Sequence, residues 1–72
     1  MITVNIRETD EFIKLGQALK LAGLVQNGVE AKFEIADGNV KLNGEVETRR
    51  GKKVYDGDII EYNGSQVKIV NN

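Results

Sequence analysis

Apolar and polar residues alternate at the start of the chain. Ile2, Val4 and Ile6 fall on one side, Thr3 and Asn5 on the other, the pattern of a short, half-buried strand. The period then changes. Phe12, Leu15, Leu19 and Ala22 recur at helical spacing, with Lys14, Gln17 and Lys20 off that stripe. Thr9 and Asp10 are suited to cap such a helix, Glu11 complements the positive end of its dipole, and Gly23 is its stop. Gly16 lies inside this segment, where glycine costs about 1 kcal/mol relative to alanine; its presence predicts a close contact with a second helix. Asn27 and Glu30 have the Asn-x-x-Glu spacing of a capping-box variant, which opens a second short helix closed by Asp37-Gly38. On it Val29, Phe33 and Ala36 form one apolar row, with Ala31 and Ile35 beside it and Glu30 and Glu34 opposite.

After Gly38 the chain reads as strands and turns. Val40 and Leu42 alternate with Lys41, so the two apolar residues face the core and Lys41 faces outward. Asn43-Gly44 follows, a pair that accepts positive φ at both positions of a tight hairpin turn. Val46 lies on the return strand. Val54-Tyr55 leads into Asp56-Gly57, then Ile59, Ile60 and Tyr62, a second Asn-Gly turn at 63–64, and finally Val67, Ile69 and Val70. The predicted class is α+β: an N-terminal strand, two short packed helices, then a small curved, antiparallel-rich sheet of four or five strands. One domain over residues 1–72 is expected, with its core motif at about 12–62.

Composition narrows the chemistry. Among 72 residues there is no Cys, His, Pro or Trp. Thiolate nucleophiles, zinc ribbons, disulfides, His metal sites and Ser-His-Asp triads are thereby removed. A chain of this size buries only about 60% of its unfolded surface, too little to wall off a deep pocket as well. The expectations are no catalysis, no cofactor, no metal and no small-molecule substrate. The start lacks the basic head and apolar stretch of a signal peptide, and no apolar run approaches the ~20 residues that span a bilayer. A monomeric, cytoplasmic protein without membrane contact is expected.

The formal net charge of -1 argues at first against a nucleic-acid partner, but it is unevenly distributed. Residues 41–53 carry +3 and residues 54–64 carry -3. Within the first segment, Arg49-Arg50-Gly51-Lys52-Lys53 places four cations in five residues. Arg offers planar bidentate donors, and Lys a compact point charge. Screening over about 8 Å at physiological salt keeps distant acids from cancelling the patch. The run fits a phosphate-contacting loop, and equally a solvated, solubilising one.

Lys14-Leu15, Leu19, Ala31-Lys32, Ile35, Gly38-x-Val40-x-Leu42-Asn43-Gly44 and Gly57-Asp58-x-Ile60 stand in an order that resembles the S-four-type RNA-binding domain, the alpha-L motif. The stretch from Lys14 to Ile60 carries the likeness, most specifically GNVKLNGEVETRRGKKVYDGDII. It is closest in type to the small stand-alone bacterial members. The resemblance implies two short helices coupled to a curved sheet, and a non-catalytic protein that binds structured RNA such as ribosomal RNA or a ribonucleoprotein. It implies RNA contacts from Lys14 and Lys32 on the helix pair, and Lys41, Arg49, Arg50, Lys52 and Lys53 complete the candidate set. Lys20 reads as a solvated residue. Tyr55 and Tyr62 are read as strand packing rather than as base-stacking groups. Two positions depart from the family pattern: Gly16 replaces the usual Asp, and Asn27-Gly28 replaces the usual Ser-Arg. The basic loop is placed to compensate for the missing Arg.

Two alternatives stand beside this reading. Asp56, Asp58 and Glu61 form a carboxylate group for acid-base or cation chemistry, although their spacing fits no known cation loop and Asp56-Gly57 reads as a turn. The NG and GD turns also look like those of small beta-grasp carriers. Such carriers need a Gly-Gly tail, and these residues end Val70-Asn71-Asn72, so this alternative is a protein-interaction adaptor without nucleic-acid binding.

Overall fold

The computed structural model describes residues 1–71; Asn72, the last residue of the tail on which the carrier comparison turns, lies outside them. The elements in chain order are β1 (Ile2–Asn5), β2 (Phe12–Lys14), α1 (Leu15–Leu21), α2 (Gly28–Ala36), β3 (Val40–Leu42), β4 (Glu45–Val46), β5 (Lys53–Tyr55), β6 (Ile59–Tyr62) and β7 (Ser65–Val70). Five strands form one sheet in the order β1-β7-β6-β3-β4, and β2 pairs with β5 in a separate ribbon. β1 runs parallel to β7, while every other pairing is antiparallel. This is the α+β arrangement expected from the sequence, with the strands divided between a sheet and a ribbon. No helix among the described residues is long and apolar enough to cross a membrane.

Both Asn-Gly pairs make the predicted hairpins. Asn43 and Gly44 have φ of 52° and 87°, and Asn63 and Gly64 have φ of 50° and 83°, the left-handed pair that matches strand twist in a two-residue turn. The α2 cap is also as predicted. Asn27 Oδ1 accepts the Glu30 N–H at 2.9 Å, and Glu30 Oε1 accepts the Gln26 N–H at 3.0 Å. Both helices end at the predicted glycines, Gly23 and Gly38, whose N–H groups return to the Lys20 and Ile35 carbonyls.

The start of the first helix is corrected, and the choice between the two apolar rows of α2 is made. The first helix does not begin at Thr9-Asp10. Residues 12–14 are strand, and α1 starts at Leu15 with Lys14 as an N-cap that makes no side-chain capping bond. Phe12, Ile13 and Lys14 lie opposite Tyr55, Val54 and Lys53. That register buries Ile13 against Val54, both in the core, and the gain outweighs one further helical turn. On α2 the buried row is Ala31 and Ile35, while Val29 and Phe33 are 63% and 59% exposed. The Ala31-Ile35 side packs on the core, and Glu34, expected on the opposite side, reaches the sheet next to it through Tyr62.

Gly16 makes the close approach its position predicts. A Cβ there would lie 3.7 Å from the Ala31 Cβ and 3.6 Å from the Arg50 Cβ. Alanine would touch its neighbours, and any longer side chain would wedge α1 away from α2 and from the basic loop. The core beneath is formed by Leu15, Ala18 and Leu19 of α1, Ala31 and Ile35 of α2, and Val40, Val54, Ile60, Val67 and Ile69 of the strands, with Val4, Ile6, Ile13 and Val25 at its margin.

Candidate nucleic-acid interface

The basic segment is held on the start of α1 by its backbone. A helix leaves its first N–H groups without intrahelical partners. Here the Leu15 N–H donates to the Lys52 carbonyl at 2.9 Å, and the Gly16 N–H donates to the Arg50 carbonyl at 3.1 Å. The loop carbonyls thus do the work of a side-chain cap. The turn itself closes by a Lys52 N–H to Arg49 carbonyl bond of 3.1 Å. Because the anchors are main-chain atoms, they engage none of the cationic side chains.

Docking the loop there creates a shallow groove of about 430 Å³. Lys14, Gln17, Lys20 and Arg50 line it together with the small residues Gly16, Gly28, Ala31 and Gly51. Lys53 lies directly opposite Lys14 in the ribbon register. Like charges facing each other across strands are destabilising, and an anion between them relieves that repulsion. Lys52 is half-buried beside this loop. Lys20, whose place in the sequence suggests only solvent, is one of the lining cations. The signal for it is its spacing: Lys20 lies one helical turn beyond Gly16 and Gln17.

The remaining candidates are placed differently. Arg49 forks onto Glu47, with Nε to Oε2 at 3.0 Å and Nη2 to Oε1 at 3.2 Å, and its N–H also donates to Oε2 at 3.1 Å. The guanidinium bond foremost, and then the backbone N–H, hold the Glu47 carboxyl at about 2, below its ordinary 4.5. The pair's contribution to stability is therefore complete above pH 4.5 and disappears as pH falls through about 2. Lys32 is exposed on α2 outside the groove lining. Lys41 lies on β3 opposite Glu61 and lines a separate depression with Gly38, Asn39 and Tyr62.

Gly28, where the resemblance leads one to expect Arg, lines the groove at the start of α2. A Cβ there would meet nothing within 4 Å, so space does not exclude a side chain. Removal of the Glu47 charge is expected to release Arg49: Glu47→Gln should tighten binding of a phosphate polymer severalfold at low salt. It should also steepen the log-log salt slope by roughly 0.7–0.9, the increment of one phosphate contact. A filter-binding titration at two salt concentrations measures both. An unchanged slope would place Arg49 outside the footprint.

The carboxylates of the acidic segment are committed to turns. Asp58 Oδ2 accepts the Tyr55 N–H at 2.7 Å and Oδ1 accepts the Asn43 side-chain amide at 3.0 Å. Asn43 Oδ1 in turn accepts the Ile59 N–H at 2.9 Å. Asp56 Oδ1 accepts the Asn71 N–H at 2.9 Å. Glu61 faces Lys41 across the sheet, and no three such groups converge on a cation site among the described residues. Tyr62, read as packing, donates its hydroxyl to Glu34 Oε1 at 2.7 Å, tying α2 to the sheet. That acceptor raises the phenol's pKa.

Comparison with known proteins identifies the family and the fold. The S4 domain family matches residues 4–70. A Bacillus subtilis (strain 168) protein named "Probable ribosome maturation protein RlbA" is 44% identical over 62 residues, covering 85% of this chain and 87% of that one. An Escherichia coli (strain K12) protein named "Putative RNA-binding protein YbcJ" is 40% identical over 58 residues, covering 81% and 83%. The solution structure of YbcJ, described as revealing an "alfaL motif involved in RNA-binding", matches with a TM-score of 0.72 at 36% identity, over 97% of this chain and 87% of that chain. The fold described above is the alpha-L fold.

Proposed function

This chain belongs to the S4 domain family, and from that premise we propose that it is a non-catalytic RNA-binding protein acting on structured RNA, such as ribosomal RNA during ribosome maturation. It acts as one domain and one copy in the cytoplasm, without cofactor. The observation that carries this reading is the docking of the Arg50 and Lys52 carbonyls on the α1 N–H groups, which gathers Lys14, Lys20 and Arg50 on one groove. Three cations on a shallow, open surface suit a phosphate backbone better than a small substrate. The names of the relatives, RNA binding and ribosome maturation, point the same way. Lys14, Lys20, Arg50 and Lys53 grip consecutive phosphates, Lys52 and Arg49 add charge at the flank, and Lys32 and Lys41 contribute only long-range attraction. The shape of the RNA sets the register, as is general for folded RNA.

Salt dependence tests this directly. Neutralising about four to six phosphates gives a slope of log affinity against log salt of roughly -3 to -5. Fluorescence anisotropy on ribosomal RNA hairpins between 50 mM and 200 mM salt reads it. A flat dependence would overturn the proposal and leave the adaptor alternative, for which exposed Val29 and Phe33 on α2 supply a protein-facing surface.

A further inference from the structure

We infer that the outer face of the β2–β5 ribbon is a stacking platform for one unpaired nucleobase, placed beside the phosphate groove; this deepens the RNA-binding reading and rests on it. Strand alternation sends Ile13 and Val54 into the core and leaves Phe12, Lys14, Lys53 and Tyr55 on the opposite face. The Phe12 and Tyr55 ring centroids are 5.8 Å apart and tilted by 51°, and Tyr55 is 45% exposed. Phe12 is half-buried and Lys53 Nζ stands over its ring, 4.8 Å from the centroid, which leaves Tyr55 as the more open of the two rings. Aromatic rings bordered by cations on an open surface are the elements with which proteins hold unpaired bases, one ring for the base and one charge for its phosphate.

The neighbouring surface gives the platform a direction. A depression of about 370 Å³ opens beside Phe12, lined also by Asp10, Glu11, Lys14 and Gln17. Lys14 and Gln17 line the phosphate groove as well, so the two recesses share a wall. Asp10 and Glu11 repel a phosphate, but a carboxylate accepts the amino hydrogens on a base edge. Phosphate therefore belongs on the Arg50 side of Lys14 and the base on the Phe12 side. Sequence periodicity hides this arrangement, because it counts Phe12 among the core residues of a helix.

Three RNA probes test the inference: a hairpin with a short single-stranded overhang, the same hairpin with abasic overhang sugars, and the blunt hairpin. The natural sequence is expected to bind the overhang about 5- to 100-fold more tightly than its abasic counterpart, the range of one base–aromatic stack. Phe12→Leu and Tyr55→Leu keep apolar bulk in the ribbon but remove the ring, and each should erase that difference while leaving blunt-hairpin affinity and salt slope unchanged. As a second readout, Tyr55→Trp introduces a single tryptophan into a chain that has none; its fluorescence should be quenched by the overhang and not by the abasic probe. Equal binding of overhang and abasic probes, or equal weakening of all three probes in the leucine variants, overturns the platform alone. Binding of none of the probes overturns the RNA reading and the platform together.

Discussion

Replacing Lys14, Lys20, Arg50 and Lys53 together by glutamine is expected to weaken RNA binding by about 10²- to 10³-fold near physiological salt and to flatten the salt slope by roughly three units, with the fold intact. The size follows from counterion release, at 0.7–0.9 of slope per phosphate contact. Retention of the fold follows from how the loop is attached. Its anchors on α1 are the Arg50 and Lys52 carbonyls, which glutamine side chains leave in place. Neutralisation also removes the repulsion between Lys14 and Lys53 across the ribbon, which offsets the loss of the Lys53–Phe12 cation–π contact, about 0.5–1 kcal/mol at exposed sites.

Two controls sharpen the result. Lys32→Gln with Lys41→Gln removes two charges that do not line the groove and should change affinity by less than about threefold, because charges that touch no phosphate act only through screened solvent. Gly28→Arg adds a cation where a side chain meets no neighbour and should tighten binding. Anisotropy titrations with circular dichroism melts read both sets. If the Lys32 and Lys41 pair mattered as much as the groove four, the footprint would lie across α2 and the sheet instead.

Asp58→Ala is expected to lower stability by about 1–2 kcal/mol, because it removes the acceptor of the Tyr55 N–H and of the Asn43 amide; bonds to charged groups are the stronger ones, while water reaches these exposed donors and limits the loss. A 72-residue chain has only about 4–11 kcal/mol in total. The thermal midpoint should therefore fall by roughly 5–15 °C. Asp58→Asn keeps one acceptor oxygen and should lose about half as much. Asp58 joins three parts of the fold. Its carboxylate closes the turn after β5 on the Tyr55 N–H and orders the β3–β4 turn through Asn43, while its main-chain carbonyl, which alanine keeps, holds the Ile69 N–H. Through Tyr55 it also positions one ring of the ribbon's outer face. An unchanged melt in Asp58→Ala would return this carboxylate to the pool of free acids and reopen a chemical role for it.

Much of this molecule is local and was therefore readable along the chain. Asn43-Gly44 and Asn63-Gly64 specify tight turns because few other pairs tolerate left-handed backbone at two successive positions. Asn27 and Glu30 specify a helix start because both capping bonds close within four residues. The Arg49–Lys53 run marked a charged surface whatever the fold. Periodicity alone misplaced Phe12, since its spacing to Leu15 and Leu19 is as good for a helix as for chance. A three-residue strand acquires its identity only by pairing, and its partner Lys53–Tyr55 lies about forty residues away in the sequence. The α2 rows show the same division: the pattern announces two apolar rows, and packing against α1 selects Ala31 and Ile35.

What the sequence determined by itself was thus the inventory: one strand, two helices with the cap of the second, glycine-bearing hairpins, a basic run, and the absence of His and Cys. Each of these depends on residues a few positions apart or on composition. Tertiary structure decided which charges stand together. Glu47 withdraws Arg49, while Lys14 and Lys20 join Arg50 only because two loop carbonyls bond to the first free amides of α1. Those bonds link residues more than thirty positions apart, and the energy that selects them comes from burying Ile13, Leu15 and Val54 in a common core, which no local pattern records.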